Sequence, residues 1–351
     1  MPSDFEPGGG LRPFAPGPAL REELLGYIRR YGVRSPGGLA RASAVSVKPP
    51  SALAGLADAA LPRRPRAVAI DIYGTLLAAA QSEPGAAGMD ETCPQIGAAD
   101  GMSARGFPPD MKERLRAIVA ADHAASRARG APWPEVDAVS VFARALGLGD
   151  EEAARACVAW ECGCNPAAPL PGARGFLARC AAAGLPLGIV SNAQFYTPLL
   201  IEAAYGAPLF GPGGLGFDPD LAFWSFERLR AKPDPHMFKL LAAELAGRGV
   251  DAADACYVGN DALNDCAAAA EAGFMTVLFA GDPPSFKPRL GEAGLRAPPA
   301  DALADSWERV EALAFGPAYG AAPPPGGRRG QLPGEPYGRL ETNEQEDSPC
   351  T

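Results

Sequence analysis

Histidine is scarce in this chain of 351 residues: His123 and His236 are the two it has, too few for a histidine-rich metal centre. No run of about 18 apolar residues occurs, so no stretch reads as a membrane-spanning helix. The first residues, MPSDFEPGGGLRPF, hold neither a basic segment nor an apolar one, and they do not read as a secretory signal. Basic charge is outweighed, with 32 Lys and Arg against 41 Asp and Glu and a formal net charge of -9. That balance argues against general affinity for nucleic acid, and Arg328-Arg329 is too short a basic spot to reverse it. Eight cysteines do not make a disulfide scaffold in a chain of this length; they fit reduced thiols in a cytosolic, cytoplasmic protein. Cys157, Cys162 and Cys164, with Cys180 further on, lack the pair-of-pairs spacing of zinc sites and read as buried thiols. The glycines of GPGGLGF (211–217) are not set between a strand and a helix, as a dinucleotide site requires, so they read as a loop. No internal repeat is present.

What is present is an apolar fraction of 47 %, enough for a sizeable core, distributed in a readable order. Residues 1–65 form an N-terminal extension. Its first part, to about Pro18, is rich in Gly and Pro and reads as disordered. Leu20, Leu24, Leu25 and Ile28 then fall at helical spacing. Residues 66–78 and 172–315 alternate short apolar runs with amphipathic stretches. The runs AVAI (67–70), LPLGIVSNA (185–193), ACYVGND (255–261) and FMTVLFAGD (274–282) read as strands, with helices between them. This alternation predicts an α/β core, a Rossmann-like parallel sheet flanked by helices. Residues 79–171 break the rhythm with three helical stretches and no clear strand, and they read as a helical cap inserted after the first strand. The tail, 316–351, is rich in Pro and Gly, ends acidic and reads as disordered.

In a parallel sheet every strand ends on the same side, where open α/β sheets bind ligands. Four polar motifs fall after strands. Asp71 opens the turn DIYGTL with Gly74 and Thr75; Ser191 and Asn192 end the run LGIVSN. Lys232 lies in AKPDPHMF before a helix, and Asp261 and Asp265 lie in GNDALND. Any one of them alone reads more simply as a cap, a turn or a surface charge. Together they supply a carboxylate nucleophile in Asp71, oxygen ligands for a hard cation such as Mg²⁺ in Asp71, Asp261 and Asp265, and an ammonium and a hydroxyl, Lys232 and Ser191, to stabilise a transferring group.

The motifs DIYGTL, IVSNA, AKPDPHMF and YVGNDALNDCAAAAEAGF resemble those of the haloacid dehalogenase-like (HAD) hydrolases, and the helical insert resembles that family's C1-type cap. The resemblance implies that Asp71 is the nucleophile, with Thr75 in its loop, and that Ser191, Asn192 and Lys232 bind the transferring group. It implies that Asp261 and Asp265 serve the metal, with the backbone carbonyl of Tyr73 as a further ligand. One position departs from the family's phosphatases, which carry a second acid two residues after the nucleophile. Here that position is Tyr73, as in the 2-haloacid dehalogenases, whose halide leaving group needs no proton and which use no Mg²⁺. The dehalogenases also place an Arg soon after the first motif, and none follows Leu77 closely here. The retained pair Asp261 and Asp265 therefore favours a Mg²⁺-dependent phosphatase acting on a small phosphorylated metabolite. A dehalogenase and a weakly catalytic ligand- or protein-binding module are the alternatives. Glu161, Asp122 and His123 are candidates for the missing acid.

Overall fold

A computed structural model describes residues 13–35, 38–39, 51–79, 106–292 and 299–316. The expectations for residues 1–12 and for the tail beyond 316 lie outside the described residues, as does most of the stretch that follows Leu77.

β1 (Ala67–Ile70) forms because four apolar residues in a row suit a strand covered on both faces. It lies at the centre of a six-stranded sheet. β4 (Leu187–Ser191) and β5 (Phe217–Trp224) lie on one side of it, and β6 (Ala255–Gly259), β7 (Met275–Phe279) and β8 (Ala302–Ala304) on the other. Every pairing in the sheet is parallel. Alternate residues of β1 serve different cores. Val68 and Ile70 pack in the cluster that holds Phe176, Leu200 and Trp307, whereas Ala67 and Ala69 pack with Met237, Phe238 and Leu241. The first cluster draws on α6 (Ala173–Ala182), α7 (Thr197–Tyr205) and α11 (Trp307–Phe315), and the second on α9 (His236–Gly247) and α10 (Ala268–Glu271). Helices thus cover both faces, as the strand–helix alternation predicts.

Within this sheet, β5 and β8 are the two strands that the hydrophobic pattern does not reveal. Both are edges. β5 carries Asp218 and Asp220, both ion-paired to Arg248, around Pro219, a residue that sheets accept at an edge. β8 has three residues, too few to show a period.

After β1 the chain leaves the sheet on β2 (Leu77–Ala79) and returns on β3 (Ala167–Pro169), the two pairing antiparallel with Leu77 opposite Pro169. β3 was not legible in its own sequence, Ala-Ala-Pro, because pairing with β2 forms it. Between the two lie α3 (Met111–Ala128), α4 (Ala138–Leu146) and α5 (Asp150–Cys164). α4 starts on an Asp137 carboxylate that accepts from the Val139 amide and ends on Gly147 in the left-handed conformation.

The N-terminal helix, α1 (Pro18–Tyr27), buries Leu20, Leu24 and Leu25, and Ile28 follows in the π-turn that extends it. Burial of each such side chain contributes about 1.5–3 kcal/mol. On its polar side, Glu23 takes both arms of Arg155 from α5, and Arg21 pairs with Glu202 of α7 at 2.5 Å. α1 therefore bridges the inserted helices and the sheet's own helices. Two short helices remain, α2 (Ala54–Ala57) and α8 (Ser225–Arg228).

Among the described cysteines, Cys157, Cys162, Cys180, Cys256 and Cys266 are free and buried. The expectation of reduced thiols fails at Cys164, which is disulfide-bonded. No helix among the described residues is long and apolar enough to cross a membrane.

Candidate active site

Asp71 follows β1 directly, its amide donating to the Val258 carbonyl at 3.0 Å. The turn after it needs a glycine. Gly74 has φ +80, and a Cβ there would lie 2.5 Å from Asn260 Nδ2 and 2.6 Å from Ser285 Cβ. That close approach brings the loops after β1 and β6 together. Lys232 enters from the segment that leads to α9. The Asn192 side chain fixes its backbone, Oδ1 accepting from the Lys232 amide at 2.7 Å and Nδ2 donating to the Lys232 carbonyl at 3.2 Å.

The Lys232 ammonium is buried and fully engaged. Its three protons are shared among four acceptors, Asp71 Oδ1 at 2.8 Å, Asp265 Oδ1 at 2.6 Å, the Tyr257 hydroxyl at 3.0 Å and the Val190 carbonyl at 3.2 Å. Tyr257, on β6, donates in turn to the Val190 carbonyl at 2.6 Å. Burial alone would lower the lysine's pKa. The carboxylates of Asp265 and Asp71 outweigh it, and the net direction is up. Burial pushes the Asp265 carboxyl up to about 6, against the pull of Lys232.

Tyr73 is 5 % exposed, and its hydroxyl lies 3.0 Å from Thr197 Oγ1. Burial raises its phenol pKa further above the ordinary value. Thr75 is fully buried, its hydroxyl 3.5 Å from Asn260 Oδ1. Ser191 is fully buried as well, donating only weakly to the Asn192 carbonyl at 3.4 Å. Neither Thr75 nor Ser191 lines the cleft above Asp71, whereas Asp71, Tyr73, Asn192, Lys232, Asp261 and Asp265 all do. The cleft encloses about 500 Å³.

Asp261 has a different set of partners. It caps the helical turn after β6, Oδ1 accepting from the Leu263 and Asn264 amides at 2.9 and 3.1 Å. Arg289 grips both its oxygens, Nε on Oδ1 at 2.6 Å and Nη2 on Oδ2 at 2.8 Å. Burial would raise this carboxyl's pKa, but Arg289 and the helix amides outweigh it and hold it below the usual range. Arg289 itself has φ 47, a left-handed conformation that costs a non-glycine residue about 1–2 kcal/mol.

As arranged, protein donors already engage oxygens of three of the ligands expected for Mg²⁺, Asp71, Asp261 and Asp265. Magnesium takes near-octahedral oxygen ligands at about 2.0–2.1 Å. Both Asp261 oxygens are held by Arg289. Both Asp265 oxygens are held, one by Lys232 and the other by the Asp261 amide at 2.9 Å, and Asp71 Oδ1 is held by Lys232. Among the described residues no group of three or more His, Cys, Asp or Glu side chains is arranged to hold a metal ion.

The roof of the cleft comes from α3 and the loop before α4. His123, on α3, lines the cleft with a buried Nε2 that makes no hydrogen bond. Burial lowers its pKa, with Arg127 adding to the effect, so the imidazole is neutral near pH 7. Asp122 points elsewhere and pairs with Arg144. Glu161 is buried beside Tyr73 and Tyr196 in a separate internal cavity. The loop is latched to the core: the Ala231 amide donates to the Trp133 carbonyl at 2.8 Å and the Glu135 amide to the Leu229 carbonyl at 3.1 Å. Gln194 adds two bonds, to the Val136 carbonyl and from the Ala138 amide, each at 3.0 Å.

Sequence reasoning missed Arg289, Glu135 and Tyr257. Glu135 lines the cleft and accepts from the Ser225 hydroxyl at 2.7 Å. Burial raises its pKa against that bond and the Val136 amide. Tyr257 lies within an apolar strand and reads as core. Arg289 and Glu135 lie in loops without period, and tertiary pairing alone brings them here.

A family model described as haloacid dehalogenase-like hydrolase matches residues 65–273. Solved structures with a similar fold include a 2-haloacid dehalogenase from Pseudomonas syringae pv. Tomato (18 % identity, covering 71 % of this chain and 97 % of that one, TM-score 0.42). An L-2-haloacid dehalogenase from Xanthobacter autotrophicus is 18 % identical, covering 72 % of this chain and 99 % of that one, with TM-score 0.40. A HAD phosphatase from Thermococcus onnurineus is 21 % identical, covering 72 % of this chain and 99 % of that one, with TM-score 0.44. No curated protein sequence matches the chain.

Proposed function

The chain belongs to the haloacid dehalogenase-like hydrolase family, and on that premise we propose that it hydrolyses a small 2-haloacid-type substrate by nucleophilic displacement on Asp71. An Asp71 carboxylate oxygen attacks the carbon that bears the halogen. The new C–O bond forms as the carbon–halogen bond breaks, and the electron pair leaves with the halide. Water then attacks the carbonyl carbon of the Asp71 ester and gives one proton to the neutral His123; as the bond from that carbon to the alkoxide oxygen breaks, the imidazolium passes this proton to the departing oxygen, and the water's second proton goes to solvent, so that a 2-hydroxy acid leaves and the carboxylate is restored. Lys232 orients Asp71 throughout and offsets its charge beside Asp265. Helices α3–α5 act as a C1-type cap whose side chains select the substrate.

The observation that carries this reading is the commitment of Tyr73. Its hydroxyl is turned to Thr197 and burial keeps it protonated, so it is no acid for a basic leaving group. A halide needs none. The sequence favours phosphoryl transfer on the strength of Asp261 and Asp265, and the geometry gives both of them other partners. One observation supports phosphatase chemistry as a second reading. Glu135, an acid with a raised pKa in the same cleft, has the property needed to protonate an alkoxide.

Incubation with 2-chloropropionate in the presence of chelator tests the choice. Halide release by the wild type and none by Asp71→Asn is the expected result. Phosphate release from an aryl phosphate that chelator abolishes, with no halide released, would replace it with the second reading.

A further inference from the structure

We propose that Arg289 is the resident cation of this active site, holding the place on Asp261 that a divalent ion would need and so closing the site to such ions. The inference rests on reading the Asp71 cleft as the reaction site.

Three observations carry it. The first is how the arginine arrives. The segment after β7 is stitched to the loop after β6, the Lys287 amide donating to the Asn260 carbonyl and the Ala262 amide to the Lys287 carbonyl, each at 2.9 Å. Asn260 Nδ2 donates to the Ser285 carbonyl at 2.5 Å, and the Ser285 hydroxyl to Asp282 at 2.6 Å. Arg289 follows in its left-handed conformation, a backbone state that persists where the surroundings hold it and that gathers at functional sites.

The second is the form of the contact. Two parallel N–H bonds meet two carboxylate oxygens, the pairing that a guanidinium fits and an ammonium does not. The third is charge. Asp71, Asp261 and Asp265 line one cleft, and Lys232 bonds directly to two of them, Asp71 and Asp265. Without Arg289, Asp261 would lose the guanidinium from both its oxygens and keep the Leu263 and Asn264 amides on one of them, leaving more negative charge to oppose an anionic substrate. A metal-dependent enzyme would meet that need with its ion. Here a side chain meets it, and because Arg289 is 28 % exposed, solvent and ions reach the pair to contest it.

Mn²⁺ serves as the probe, its binding to the full chain measured by electron paramagnetic resonance without substrate. Arg289→Ala should bind Mn²⁺ about tenfold more tightly than the wild type. Arg289→Lys, which keeps the charge and loses the fork, should fall between the two, and the double variant Arg289→Ala/Asp261→Asn should stay near the wild-type level. Equal affinity in wild type and Arg289→Ala overturns the proposal, as does a gain that survives in the double variant. Should Arg289→Ala lose its circular-dichroism melting transition, Arg289→Gln takes its place under the same criteria. The outcome is independent of the halide assay. A gain in Mn²⁺ affinity without halide release leaves this inference standing and removes the reading of the reaction; halide release without the gain does the reverse.

Discussion

Two ion pairs share this cleft and differ in kind. Lys232 lies at its floor, buried, with four acceptors around one ammonium. Arg289 lies at its rim, partly exposed, with its fork on a carboxylate that already caps a helical turn. In the first pair no partner can be withdrawn without leaving a charge stranded out of water, which is costly. In the second, solvent can compensate for a lost partner. The floor is built to fix Asp71, and the rim is built to set charge while remaining exchangeable.

Substitutions can break that contrast, and the largest effect belongs to the proposed nucleophile. Asp71→Asn should lower kcat by about 10⁴-fold or more in a protein that still melts cooperatively, measured by halide release. Lys232→Met comes next. It strands Asp71 and Asp265, and chemical denaturation should show a loss of about 3–5 kcal/mol. Gly74→Ala tests the approach between the two loops, with an expected loss of about 1–3 kcal/mol and a fall in activity, because Asn260 and Ser285 must move. The pH–rate profile should show a limb falling as pH drops through about 6, because Asp265, raised to that value by burial, is ionised above it and loses its hold on Lys232 below it. Asp265→Asn should abolish that limb. The smallest effect belongs to the rim. Arg289→Ala should change stability by about 1 kcal/mol or less, several-fold below Lys232→Met. Equal losses at the two positions would erase the distinction between floor and rim.

The same contrast explains what could be read from the chain. β1, β4, β6 and β7 were legible because buried parallel strands are continuous apolar runs, and their ends announced Asp71, Asn192 and Asp265. Lys232 was legible as a cation before a helix, though not as the centre of a four-acceptor node, since Tyr257 and Val190 reach it from two different strands. Asp261 carries the sharpest lesson. Its position beside Asp265 looks the same whether it caps a helix or binds a metal, and the arginine 28 residues further on that pairs with it left no mark in the local sequence. Ser191 shows the converse: the residue type suits the chemistry, and the pleat at the end of β4 buries the hydroxyl.

The latch between the loop before α4 and the segment before Lys232 has one more consequence. Trp133 and Glu135 hold Leu229 and Ala231 by backbone bonds, and Ala231 is the immediate neighbour of the lysine. The loop over the cleft and the backbone that carries Lys232 are therefore mechanically linked. On the proposed reading of the cleft, a molecule that pushes the Trp133–Glu135 loop outward would pull on the stretch of chain that aims the ammonium, so that an oversized guest would lower the rate as well as the affinity.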